Sequence, residues 1–145
     1  MRIVARSIAL VALAGLVPLS AFAAHVSAKP TSVRLTLSSK LMHSKAIMHA
    51  TGNAKLHWTK GDVTVAVTTD GLPSAKTLGR RVYVIFASDG AMWDRVGALK
   101  LSGMMAAGSG MVMMSKITDL WIYAENAANV KKPGTGVLVM SAMIG

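Results

Sequence analysis

The sequence predicts an all-β protein, an immunoglobulin-like antiparallel β-sandwich of about seven to nine short strands. Three observations carry this expectation. Apolar and polar residues alternate with the period of a half-buried strand in run after run. Glycine, proline, aspartate and asparagine punctuate those runs about every 8–12 residues. After the first two dozen residues, no stretch sustains the 3.6-residue period of an amphipathic helix.

Taken in order, the chain opens with Arg2 and Arg6, then an uncharged apolar run from Ile8 to Val17, then Pro18 and Ala21-Phe22-Ala23. That order is a secretory signal peptide over residues 1–23, cut after Ala23. The apolar run is short for a bilayer span of about 20 residues. Retention in a membrane is expected only if this segment stays uncleaved. Residues 24–32, with Pro30, read as a flexible arm, and residues 33–145 as the β-sandwich domain.

Val33 to Leu37 alternates and reads as the first strand. Lys45 to Ala50 is a weaker strand candidate, ended by Thr51-Gly52-Asn53. Ala54, Leu56 and Trp58 share one face of the next strand, and Trp58 is expected in the core. Asp62 to Thr69 is the cleanest strand: Val63, Val65 and Val67 face one way and Thr64, Ala66 and Thr68 the other. Gly71-Leu72-Pro73 stops it, and a polar corner runs to Arg80. Arg81 to Ala87 is apolar almost throughout, the pattern of a strand covered on both faces at the centre of its sheet. Ser88-Asp89-Gly90 signals a tight turn.

Met92 to Leu101 holds another strand, with Val96, Ala98 and Leu99 inward. Ser102 to Gly110, rich in glycine and small residues, reads as a loop, and Met111 to Ser115 as a short strand. Asp119 to Ala124 places Leu120, Ile122 and Ala124 opposite Trp121 and Tyr123. A polar loop with Pro133 leads to a last strand over Val137 to Ile144.

Several of these pieces, in this order, are similar to the extracytoplasmic C-terminal domain of anti-sigma-K factors. They are the valine-rich strand ending in Gly71-Leu72-Pro73, the strand with Tyr83, Gly97 in the next strand, Ile122-Tyr123-Ala124-Glu125, the loop with Pro133, and Val137-Leu138-Val139. The similarity covers Ala54 to Gly145, with Phe86 where the family's Tyr-x-x-Trp has tryptophan. Nothing before Ala54 corresponds to a sigma-binding domain, so anti-sigma activity is not implied. The resemblance implies this fold, a location outside the cytoplasmic membrane, and a sensing or binding role.

The chain is strongly basic, with net charge +10, falling to +8 once Arg2 and Arg6 are removed. Such a charge suits anionic envelope polymers. Its lysines and arginines are scattered, and with export and no basic-aromatic motif, nucleic acid is not an expected partner. The expected partner is an envelope protein or polymer, in the periplasm or outside the cell.

No cysteine is present, which excludes disulfides, thiol catalysis and thiolate metal sites. Of the six acids, Asp62, Asp70 and Asp89 sit beside glycines at strand ends and Asp119 and Glu125 bracket a strand; with Asp94, they give no sign of an acid pair. All four histidines precede residue 59 without metalloprotease spacing, and no phosphate-binding glycine loop or nucleophile elbow is present. No enzymatic activity and no resident cofactor are expected.

Two sets of residues are candidates for function. His43, Met48 and His49 supply the imidazole and thioether ligands that suit Cu(I), which makes copper binding the alternative to a binding module. Among the other methionines, Met111 and Met113 share one strand face and Met140 shares another with Leu138; these read as core packing. Met104 and Met105 interrupt a loop and, if exposed, offer a soft binding surface. Trp93 lies near a turn where it can stack on a sugar or peptide. Trp121 and Tyr123 form an aromatic platform if their face is open, and core if the second sheet covers it.

Overall fold

The computed structural model describes residues 31–144, and the expected signal peptide and most of the expected arm lie outside the described residues. The fold is all-antiparallel β. Nine strands form one continuous sheet in the order β5-β4-β8-β9-β1-β2-β3-β7-β6. They are β1 (Thr31–Leu37), β2 (Thr51–Thr59), β3 (Asp62–Asp70), β4 (Val82–Ser88), β5 (Trp93–Ala98), β6 (Lys100–Ser102), β7 (Met105–Val112), β8 (Asp119–Glu125) and β9 (Val137–Met143).

The connectivity follows from four hairpins. β2–β3, β4–β5, β6–β7 and β8–β9 each pair in succession. Two of them join through β3–β7 and two through β4–β8. This gives β2-β3-β7-β6 facing β5-β4-β8-β9, the Greek-key arrangement of an immunoglobulin-like sandwich.

Both sides of the sandwich are closed. β1 pairs with β2 through residues 31–35 and with β9 through Thr36 and Leu37, so one strand serves both sheets. On the other side β5 passes to β6 through Leu99 alone. There β5 presses against the inner face of β7, and glycine makes this possible. A Cβ on Gly108 would come 2.5 Å from the Ala98 carbonyl, and one on Gly110 would overlap the Val96 carbonyl.

The core is what the alternation predicts. Val63, Val65 and Val67 of β3, Ala54 and Leu56 of β2, and Leu120, Ile122 and Ala124 of β8 are buried together. β4 lies between β5 and β8, and Tyr83 to Ser88 are all buried. Trp58, at the end of its strand, is half-buried and packs on the rim of the core. Tyr83 donates a 2.8 Å hydrogen bond from its hydroxyl to the Pro73 carbonyl. Burial pushes its pKa up to about 12. The bond anchors the corner after Gly71, whose φ of +88° suits glycine. That corner ends in a short 3-10 helix over Ala75–Leu78.

Four expectations are corrected. Ser102 to Gly110 is not a loop: residues 105–110 belong to β7, whose glycines serve close packing rather than a turn. Met111 and Met113 are not core; they are 63% and 82% exposed, while Val112 and Met114 point inward. Leu138 and Met140 do not share a face. A bulge opposite Ile122 and Tyr123 pairs Met140 with Ile122 and Leu138 with Tyr123, turning Leu138 outward. Lys45 to Ala50 is a series of turns, pinned by buried Ile47 and half-buried Leu41.

Candidate functional site

The β8 alternation that sends Leu120, Ile122 and Ala124 inward sends Trp121 and Tyr123 to the outer face of the β5-β4-β8-β9 sheet. Register places the neighbours. Phe86 of β4 stands opposite Trp121 on one side and Arg95 of β5 on the other, so Trp93 and Arg95 share this outer face. Trp93 and Trp121 stack with ring centroids 3.6 Å apart and an interplanar angle of 29°. Tyr123 continues the row at 5.7 Å from Trp121. Phe86 meets Tyr123 edge-on at 6.0 Å.

This is a second, shallow apolar layer. Val84 and Phe86 are fully buried yet lie outside the main core. Trp93, Trp121 and Tyr123 above them are half-buried. The second sheet packs on the other face, so these three rings are not core; they form an aromatic row that reaches solvent. Stacked and edge-on rings hold one another in fixed positions at little entropic cost.

The β8–β9 connection, residues 126–136, frames the row. The Arg95 Nε donates to the Ala128 carbonyl, and an Arg80 terminal nitrogen donates to the Thr135 carbonyl at 3.2 Å. Between β5 and this connection, beside the row, lies a cleft of about 550 Å³ lined by Asp94, Arg95, Ala128, Asn129 and Lys131. At the Tyr123 end of the row a cleft of about 590 Å³ is lined by Tyr123, Ser38, Ser39, Lys40, Gly134, Gly136, Val137 and Leu138. Each volume falls in the range of small-molecule sites, about 300–1,000 Å³. Each cleft carries cationic side chains.

One buried acid lies beneath this connection. Glu125 is 1% exposed. Its Oε1 accepts a hydrogen bond from the Thr135 hydroxyl at 3.4 Å, and its Oε2 has no partner. Burial raises its pKa, against the lowering effects of the Thr135 hydrogen bond and the Arg80 charge. Burial also raises the pKa of Tyr123, and the nearby Glu125 charge adds to this. Sequence reasoning gave Glu125 no such role, because nothing local marks a strand-end acid as buried. Asp89, by contrast, is the turn residue the sequence suggests. It accepts from the Ala91 and Met92 amides, which hold its carboxyl below the ordinary range.

The remaining candidates lie apart from this row. Met104 and Met105 are exposed at the β6–β7 turn of the other sheet. His43, Met48 and His49 are exposed on the β1–β2 connection. Among the described residues, no three histidine, aspartate or glutamate side chains converge as metal ligands. Among them, too, no helix is long and apolar enough to cross a membrane. No protein-family model, curated protein or solved structure matches the chain.

Proposed function

We propose that this chain is an exported, non-enzymatic β-sandwich that binds a component of the cell envelope through the outer face of its β5-β4-β8-β9 sheet. One observation carries the reading: the stacked Trp93 and Trp121 side chains, continued by Tyr123, reach solvent on an outer face flanked by two clefts. Large aromatic side chains contribute most where they anchor a partner, and rings held by their neighbours lose little freedom on binding. The order of residues 1–23 supports export, and the basic charge supports an anionic envelope partner. The similarity to anti-sigma-K C-terminal domains is in keeping with a sensing or binding role.

The test is retention of purified protein on isolated cell-envelope material. Trp121→Ala is expected to weaken retention at least about tenfold, the ordinary effect of truncating an aromatic anchor. Met111→Ala, on the outer face of the opposite sheet, is expected to leave it unchanged. Equal loss in both variants, or in neither, contradicts the proposal.

A further inference from the structure

We propose that the ligand of this face is an acidic polysaccharide, a linear chain of sugar rings bearing carboxylates, lying across the aromatic row from one cleft to the other. The inference rests on the reading above and adds the ligand's chemistry and its path.

Three features converge on it. The first is shape. The row crosses three strands, with Trp93 on β5, Trp121 and Tyr123 on β8, and Phe86 on β4 beneath. One cleft opens at the Tyr123 end and the other beside β5, and the same β8–β9 connection lines both, through Ala128, Asn129 and Lys131 in one and Gly134 and Gly136 in the other. An aromatic row flanked by two clefts suits an extended ligand rather than a compact one.

The second is surface chemistry. Pyranose rings present flat C–H faces that stack on indole and phenol rings, and hydroxyls at their edges that need donors and acceptors. Asp94 and Asn129 supply such groups in one cleft, and Ser38 and Ser39 in the other. A purely apolar partner would leave them unpaired, which is unfavourable.

The third is charge. Lys131 and Arg95 stand in the cleft beside β5 and Lys40 in the cleft at Tyr123. Asp94 is the one carboxylate among the residues lining the two clefts, and the whole chain carries sixteen lysines and arginines against six acids. Cations in the clefts flanking an aromatic row select a ligand with sugar rings and negative charge along its length.

The experiment is fluorescence or calorimetric titration of the purified protein with a polygalacturonate oligomer. Parallel titrations use a neutral glucan of the same length, poly-glutamate and inorganic polyphosphate. The oligouronate is expected to bind at least about tenfold more tightly than any of the other three, and more weakly as salt rises. Trp121→Ala is expected to lose at least about tenfold in affinity. Lys131→Ala and Lys40→Ala, both at exposed positions, are each expected to lose a few-fold and to flatten the salt dependence.

Equal binding of poly-glutamate would make the partner an acidic protein, and equal binding of polyphosphate would make charge alone sufficient; either overturns the proposal. So does failure to bind the uronate. If Trp121-dependent retention on envelope material persists in that case, only the ligand class is wrong. If retention does not depend on Trp121, the reading of the face itself is wrong.

Discussion

Replacing Gly110 with valine is expected to lower the stability of the domain by about 3 kcal/mol or more, if the variant folds at all. The reason is the closure of the sandwich. Gly110 sits on the inner face of β7, where β5 passes beneath it, and a side chain there would run into the Val96 carbonyl. The obstacle is backbone, so no rotamer change can relieve it. Gly108 faces the Ala98 carbonyl in the same way, and a Cβ on Gly97 of β5 would come 2.7 Å from the Ser109 carbonyl. Three glycines therefore line one seam, and inserting bulk at any of them forces β5 away from β7. Overpacking in an ordinary core costs about 1–3 kcal/mol; a backbone obstacle belongs at or above the top of that range. Against a typical total of about 5–15 kcal/mol the loss is large. Denaturant midpoints of wild type, Gly110→Val and Gly134→Ala measure it. Gly134 has open space around its Cβ position, and alanine there is expected to be neutral within about 0.5 kcal/mol. A near-neutral Gly110→Val would show that β5 does not close against β7.

The second large effect is at Glu125 and depends on pH. Burial raises this carboxyl's pKa in the folded protein above its ordinary value of 4.5. The folded state therefore holds a proton at pH values where the unfolded chain has released it. Stability from this group is fully present below the ordinary carboxyl range and is lost as pH rises through the raised folded value. The wild type is thus expected to lose stability at this site as pH climbs from about 4.5 toward neutrality. Glu125→Gln cannot ionise, and its amide is a new donor near the Thr135 hydroxyl. At neutral pH it is expected to be more stable than wild type by about 1–2 kcal/mol, with the difference vanishing in acid. Urea midpoints of both proteins between pH 4 and 7.5 test this. Parallel curves, or a wild type that gains on the variant as pH rises, contradict it.

Much of the fold could be read from local pattern. β3 and β8 alternate cleanly, and β4 is apolar throughout because it is covered on both sides: by the core through Tyr83 and Ile85, and by the aromatic layer over Val84 and Phe86. What escaped depends on contacts distant in sequence. Gly108 and Gly110 look like a loop because glycine weakens a strand locally, and only the approach of β5 explains them. Met113 lies beyond the end of β7, and the strand's phase puts Met111 outward; a short apolar run gives no phase of its own. The bulge in β9 puts Leu138 and Met140 on opposite faces, and an extra residue in a ladder has no local signature.

The candidate site was legible in part for the same reason. Period two put Trp121 and Tyr123 on one face, and the turn at Asp89 placed Trp93 at the start of the next strand. Whether that face was open depended on where the second sheet packs. The clefts depended on the path of residues 126–136, held by Arg95 and Arg80 across more than thirty and fifty residues of chain. Glu125 lies beneath that path, and its burial could not be read from its neighbours in sequence.

The central claim is that ligand lies on the aromatic row. Of the three tryptophans, only Trp58 is outside it. In a Trp58→Phe protein, all indole emission comes from the stacked Trp93 and Trp121. Adding soluble envelope polymer to that protein is expected to shift or quench the emission in step with binding measured independently by sedimentation. Binding that saturates while the emission stays unchanged would place the ligand elsewhere on the molecule and contradict the account.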